Sequence, residues 1–321
     1  NCYSTLTGYA QAPAGGSPFG AAGNDVILRT GTLAVSRGGQ TTAREPVEID
    51  GLTIQGGGTV ALDGNSSASA SLIAGSLTLD PANGGSALSL KADTADLGVR
   101  EFLLVRDNPP AALSGAPGDM LSPRFRSSDL YFLKYDADDG FLKVTDAEVD
   151  LDNAGDGDIA LVTTVNKTVT GEKEVHALTV RSGSGRTISD GGDGKLVVLS
   201  GGIGAYQTQS GATTVNVLVQ FGPDGAGVEG VLYSSGTSAF FPTLAEDVIA
   251  PEGLFKFGPG NFRIKPTGSD GSQHLGLRGR ITIVEGALMT DSGQRIFSSV
   301  ERFPNVTEMV LNGGAFAPED D

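Results

Sequence analysis

The chain has 321 residues, of which 48 are glycine, one is cysteine and none is tryptophan, and its net charge is −16. A hydrophobic share of 39% suffices for a core and excludes a wholly disordered chain, while an aromatic share of only 6% favours a narrow core of small, branched side chains. Because this acidic chain has no cluster of Lys and Arg, nucleic-acid binding and docking on an anionic membrane are not expected.

Short runs of alternating apolar residues recur along the chain, each closed by Gly, Asp, Asn or Ser, and they predict strands. In chain order these runs are residues 25–29, 32–36, 47–54, 59–62, 76–79, 87–90, 147–151, 158–165, 175–180, 195–199, 215–221, 228–233, 253–257, 261–265, 280–284 and 306–311. The best helix candidate is residues 93–105, although its apolar part, 102–105, is equally compatible with a strand. So many short, evenly spread strands favour a β-solenoid over a βαβ fold or an immunoglobulin-like sandwich.

One segment interrupts this rhythm. Residues 108–123 contain four prolines and predict a loop excursion, and residues 129–135 form the most aromatic stretch, a strand or a small cap on the solenoid. The predicted organisation is therefore β-helix turns in residues 1–107, an excursion with an aromatic cap segment in residues 108–145, and further β-helix turns in residues 146–321.

The sequence contains an internal repeat. Residues 51–62 and 253–264 both read G-L-x-x-x-G-x-G-x-φ-x-φ, where φ is apolar, and each position of the second copy lies 202 residues after its counterpart. The pattern predicts a strand that runs into a corner, where two glycines permit positive φ or close backbone approach. A second strand follows, with alternate residues pointing inward.

The second copy resembles the autotransporter-associated β-strand repeat of large bacterial surface and passenger proteins. Its opening matches residues 253–264, its spacer 265–280 and its closing strand 281–288, so the motif covers 253–288; the first copy departs from it with Ile54 at the usual lysine. Residues 131–142, 199–203 and 219–233 are similar to neighbouring turns of such proteins. The resemblance implies an all-β, right-handed parallel β-helix (β-solenoid), export to the cell surface, and no catalytic residues.

Catalytic motifs are scarce. The only histidines are His176 and His274, and H-E-x-x-H, C-x-x-C and G-x-S-x-G are all missing. The enzyme alternative is a polysaccharide-active β-helix, since Arg263-Ile-Lys265 matches a polygalacturonase motif and Asp138 and Asp139 are adjacent carboxylates. These carboxylates precede Arg263 inside an acidic loop and no Gly-His-Gly follows, so an enzyme is not expected and no catalytic residue is assigned.

The acidic loops are the best candidates for a binding site. Asp152, Asn153, Asp156 and Asp158 place several oxygen ligands within a few residues, as calcium requires, although the spacing is not that of an EF-hand. The alternative is a solvated turn, because Asp and Asn tolerate left-handed backbone geometry. Both interpretations stay open, and calcium is the only cofactor considered.

A solenoid leaves open ends, which need caps or partners. We therefore expect an extracellular or cell-surface structural protein whose copies assemble end to end into a fibre, filament or surface layer. Its expected partners are further copies of the same chain or other surface proteins. The alternative is an adhesin that binds glycans or cells through Phe240-Phe241 or residues 131–135.

No apolar run is long enough to span a membrane, and the first twenty residues do not resemble a signal peptide, so an exported protein is expected to be a processed product. Cys2, the single cysteine, allows no internal disulfide but permits a link between subunits.

Overall fold

The structure is a computed structural model that describes residues 5–9, 19, 24–36, 46–64, 69–92, 97–206, 211–236, 240–265, 276–290 and 303–318. The chain divides into two compact units, residues 1–145 and 146–321. Each unit is a β-solenoid of stacked parallel strands, as the sequence predicts. Among the described residues, the only helical elements are the 3-10 turns Ala82–Gly84 and Pro117–Asp119.

The first unit contains eleven strands. These are β1 (Thr5–Tyr9), β2 (Asp25–Leu28), β3 (Gly31–Ser36), β4 (Val47–Ile54), β5 (Gly57–Asp63), β6 (Ala70–Leu79), β7 (Ala87–Ala92), β8 (Glu101–Asn108), β9 (Phe125–Ser127), β10 (Leu133–Asp136) and β11 (Gly140–Lys143). Successive strands alternate between two parallel sheets, ordered β1-β3-β5-β7-β9 and β2-β4-β6-β8. Each turn of the solenoid therefore contributes one strand, a corner and a second strand.

Stacked apolar side chains form the core of the first unit. In β4, β6 and β8, the inward positions Val47, Leu72 and Leu103 lie in one register column and are almost fully buried. Of the two alternatives for residues 102–105, the strand is confirmed and the helix is wrong, because β8 alternates inward and outward residues and pairs with β6. Parallel pairing with a preformed strand outweighs the weak helical pattern in this segment.

The predicted excursion, residues 108–145, belongs to the first unit. It contains β9, which pairs with β7, and the antiparallel hairpin β10–β11. Phe125 and Phe141 are buried in the core of this unit, with ring centroids 5.8 Å apart. The Tyr135 hydroxyl accepts a hydrogen bond from the Val105 N–H (2.7 Å) and donates one to the Val105 carbonyl (2.9 Å). It thereby satisfies backbone groups of β8, the edge strand of its sheet.

The second unit contains nineteen strands. They are β12 (Glu148–Asp150), β13 (Ile159–Val162), β14 (Lys167–Val169), β15 (Glu172–Val175), β16 (Ala177–Val180), β17 (Thr187–Asp190), β18 (Lys195–Val198), β19 (Gly202–Tyr206), β20 (Thr214–Asn216), β21 (Leu218–Phe221), β22 (Gly230–Ser235), β23 (Thr243–Leu244), β24 (Val248–Ile249), β25 (Leu254–Phe257), β26 (Asn261–Ile264), β27 (Gly279–Ile283), β28 (Ala287–Thr290), β29 (Val306–Leu311) and β30 (Ala315–Pro318).

These strands form three parallel sheets around one core. The sheets are ordered β12-β13-β16-β19-β22-β25-β27-β29, β14-β17-β20-β23-β26-β28-β30 and β15-β18-β21-β24. From β13 to β24, each turn supplies one strand to each sheet in rotation. The third side continues beyond β24 as a parallel bridge between Ala250 and Leu277.

Both copies of the sequence repeat form the same strand, corner and strand. The first copy comprises the end of β4 and β5, and the second comprises β25 and β26. The first corner glycine has positive φ in both copies, 95° at Gly56 and 83° at Gly258. At Gly58 a Cβ atom would lie 2.9 Å from the side-chain atom Ile54 Cγ2. The predicted positive φ is confirmed at the first corner glycine, whereas the role of the second glycine and the right-handed sense of the coil stay predictions.

Candidate functional site

The most unusual position in the second unit is a lysine that points into the core. Along the largest sheet, one inward column is set by the pairing register of five strands beginning at β16. Its members in order are Leu178, Ile203, Leu232, Lys256 and Ile283. Lys256 is 0% exposed, so a cation takes a place that the turns on either side fill with Leu and Ile.

The ammonium group of Lys256 is satisfied by the backbone of two corners. Its Nζ donates to the carbonyls of Phe257 (2.8 Å) and Gly258 (2.9 Å) in its own turn. It also donates to the carbonyl of Glu285 (3.1 Å), which lies in the corner of the next turn. Three carbonyl acceptors match the three donors of an ammonium group, so the charged form of Lys256 has a full set of hydrogen-bond partners.

Glu285 supplies the opposite charge. Its carboxylate accepts a hydrogen bond from the Gly258 N–H, and its second oxygen, Oε2, is buried without a hydrogen-bond partner. Burial raises the pKa of the Glu285 carboxyl, and the nearby ammonium of Lys256 opposes that rise. Burial lowers the pKa of Lys256 from 10.5 to about 7, against the attraction of Glu285. Burial thus disfavours the charged form of both groups beside the corner, and the charge of each opposes the pKa shift of the other.

At the equivalent corner in the first unit, the buried position is apolar. Ile54 occupies the lysine position and is 0% exposed. The Gly56 N–H, the counterpart of the Gly258 N–H, donates to the Ser86 hydroxyl at 3.2 Å, and that hydroxyl donates to the Asp80 carbonyl at 2.6 Å. The sequence places Lys256 in the repeat motif but predicts no role for it. Its position among the inward residues of an apolar alternation, next to glycines, is the feature that could have indicated a buried lysine.

The structure does not gather the predicted calcium ligands into one site. Asp152 and Asn153 are exposed, and the Asp152 carboxylate lies 2.7 Å from the Lys167 ammonium, which also contacts Asp150 at 2.5 Å. The Lys167 hydrogen bond lowers the pKa of Asp150. Asp158 accepts a hydrogen bond from the Gly155 N–H at 2.8 Å, as in a solvated turn.

Asp156, the fourth predicted ligand, is exposed. Within the described ranges there is no group of three or more His, Cys, Asp or Glu side chains arranged to hold a metal ion. Calcium binding therefore stays a prediction, and an ion bound by Asp152 would compete with Lys167.

The residues that the sequence offers for an enzyme site, together with His176, make local contacts or lie in local environments in the structure. Asp138 and Asp139 are exposed in the β10–β11 turn, where their N–H groups donate to the Asp136 carboxylate and lower its pKa. Arg263 lies on β26, with its guanidinium 5.4 Å from the centre of the Phe241 ring. Burial lowers the pKa of His176, which favours its neutral form. Cys2 and His274 lie outside the described residues.

The last strand of the largest sheet carries exposed apolar side chains. Met309 and Leu311 on β29 stand in register with Ile281 and Ile283, which are buried core residues. Met309 is 36% exposed and Leu311 is 54% exposed. In the described part of the chain, β29 pairs with β27 alone, so its other edge carries unpaired backbone groups.

Comparisons of the chain with protein-family models, curated proteins and solved structures give no significant match. Among the described residues, no helix has the length and apolar character needed to cross a membrane.

Proposed function

We propose that this protein is an extracellular or cell-surface structural component whose copies stack end to end through their solenoid edges. The observation that carries the proposal is the open edge at β29, where Met309 and Leu311 continue the inward columns of the core. A parallel strand added at this edge would satisfy backbone groups and cover both side chains.

A second copy of the chain is the partner best suited to this edge. Both units are stacks of parallel strands with the same strand, corner and strand at the Gly-x-Gly motif, so a strand of a second copy can pair at this edge as strands pair within each unit. Among the described strands, β1 and β2 are edge strands of sheets in the first unit, and β29 and β30 are edge strands of sheets in the second unit. Joining different edges is a heterologous contact, which produces filaments when it does not close into a ring.

The acidic composition and the repeat resemblance support the proposed location. A net charge of −16 favours solubility and gives no surface for nucleic acid. The resemblance at residues 253–288 is to proteins exported to bacterial surfaces, so we infer the cell surface or the medium as the site of action.

The test compares assembly of the natural chain with that of L311E and of V165E. Leu311 and Val165 are similarly exposed, at 54% and 55%, but Val165 lies away from β29. We expect the natural chain to grow into linear particles with concentration, by sedimentation velocity and electron microscopy. We expect L311E to need at least about tenfold more protein, a change of about 1.4 kcal/mol per contact, and V165E to behave like the natural chain. A natural chain that stays monomeric at high concentration would overturn the proposal, as would equal behaviour of the two variants.

An adhesin is the second candidate, and one observation favours it. Phe240 is 42% exposed beside Phe241, which packs against the Arg263 guanidinium. An exposed aromatic ring next to a cation is a surface on which sugar rings can stack. Binding of the monomeric L311E variant to a glycan array, without assembly of the natural chain, would favour this function over the structural one.

A further inference from the structure

The stacking of turns in a solenoid has an inherent ambiguity of register. A strand that slips by two residues along its neighbour keeps its inward residues inward, because side chains alternate with a period of two. In such a slip Leu178 would face Ala205 in place of Ile203, so an apolar side chain would still meet a buried apolar side chain. Burial of apolar surface alone therefore discriminates poorly between them.

The hydrogen bonds of the Lys256 ammonium group depend on whether the next turn stacks in the native or in the slipped register. Its three acceptors come from two successive turns, since Phe257 ends β25 and Gly258 follows it, whereas Glu285 lies between β27 and β28. A two-residue slip moves the next turn by about 6.6 Å along the strand. The Glu285 carbonyl and carboxylate would then leave the ammonium, and a buried donor would lose its partner.

We propose that Lys256, together with Glu285, specifies the register in which the β27–β28 turn stacks on the β25–β26 turn. Lys256 is a positioning residue in this role. A buried polar group of this kind costs stability and excludes alternative packings, as a single buried polar residue does in coiled coils. The inference concerns stacking within one chain and holds whether or not copies assemble.

The first unit shows a different solution at the corner where Ile54 replaces the lysine. There Arg29 donates to the Gln55 side chain (2.8 Å), and Gln55 donates to the Asp80 carboxylate (3.0 Å), which links the corners of three successive turns. Register at this corner is held by side chains near the surface. The core position is then free to be apolar.

Engineered disulfides can report the register directly. In the native register Arg263 on β26 pairs with Met289 on β28, and both side chains are partly exposed. A pair of cysteines at these positions lies within bonding range, because neighbouring strands are about 4.8 Å apart. Cysteines at Arg263 and Ala287 would lie about 8 Å apart natively, beyond the disulfide limit, but would face each other after a two-residue slip.

The experiment uses the full chain carrying C2S, with either R263C/M289C or R263C/A287C. Each pair is placed in the natural background, in K256M/E285Q, and in L232M, which alters the same column one turn earlier. After oxidation, the monomer is isolated and the crosslinked fraction is measured by peptide mass spectrometry. This readout is internal to the chain, so failure of end-to-end assembly would not affect it.

We expect the R263C/A287C crosslink to rise several-fold in K256M/E285Q and to stay at the natural level in L232M. If K256M/E285Q does not fold, K256I supplies the same test, since Ile54 occupies the equivalent position in the first unit. A K256M/E285Q or K256I protein that folds and forms only the R263C/M289C crosslink would overturn the proposal. An equal rise in L232M would also overturn it, because any change in the column would then loosen the register.

Discussion

Lys256 combines a large desolvation cost with complete hydrogen bonding. Its side chain is 0% exposed, and its Nζ has carbonyl partners at 2.8, 2.9 and 3.1 Å. Burial nevertheless lowers its pKa from 10.5 to about 7, because carbonyl dipoles and one carboxylate replace water only in part. A buried charge of this kind makes stability depend on pH.

The pH dependence of Lys256 is cleanest in the E285Q variant. Removing the carboxylate that raises the pKa of Lys256 pushes this pKa further below 10.5. At a pH between the pKa of Lys256 in the folded protein and its pKa in the unfolded chain, Lys256 holds a proton in the unfolded chain that it lacks in the folded protein. The free energy of unfolding should therefore rise with pH from about 7 towards 10.5, by up to about 1.4 kcal/mol per pH unit.

Urea unfolding of E285Q and of K256M/E285Q between pH 7.5 and 9.5 measures this slope. The two proteins differ only at Lys256, so titration of all other groups cancels in their difference. A difference that does not change with pH would mean that Lys256 is solvated in the folded protein.

Among the elements of the solenoid, the corner between β25 and β26 restricts its residue type to glycine more strictly than the strands restrict their residue types. Gly258 has a φ of 83°, and a Cβ atom there would lie 2.5 Å from the Ser234 carbonyl oxygen of the preceding turn. Positive φ and close approach to backbone act together, so no rotation of a side chain relieves the contact. Positive φ also applies at the first corner glycine of the other copy, Gly56, where φ is 95°.

We expect G258A to lower the free energy of unfolding by about 2–4 kcal/mol, from backbone strain and steric overlap together. G157A is the matched control, because Gly157 is exposed and a Cβ atom there meets nothing within 4 Å. Its effect should stay within about 0.5 kcal/mol. Equal losses for the two variants in urea unfolding would show that Gly258 is not constrained as described.

At the scale of the whole molecule, stability is distributed over stacked turns. Leu72 and Leu178 are both 0% exposed and belong to separate core clusters, one in each unit. Each turn buries its apolar side chains mainly against the turns next to it, as in other repeat proteins. A destabilising substitution in one turn should therefore lower the local stability of the neighbouring turns more than that of the rest of the chain.

L72A and L178A should each cost about 2–5 kcal/mol. Hydrogen exchange should show the largest loss of amide protection near Leu72 in β4, β6 and β8, and near Leu178 in β13, β16 and β19, which are the paired strands. A uniform loss across the whole chain in either variant would contradict nearest-neighbour stacking.

Local patterns in the sequence determined the fold class, part of the strand set and the two matching corners, whereas strands such as β14, β17 and β19 lie in segments for which no strand was predicted. Each predicted strand run overlaps a described strand, because alternation and glycine corners are local signals that parallel stacking reinforces. Gly56 and Gly258 were predictable for the same reason, since positive φ restricts the residue type directly.

Only the tertiary structure decided how distant residues meet. It placed Lys256 inside an apolar column against Glu285, directed the Asp152 carboxylate to Lys167, and made β8 a strand where a helix was the alternative. These outcomes depend on which turn stacks on which and in what register. That register follows from burial and hydrogen bonds between turns, which have no signature in a local stretch of sequence.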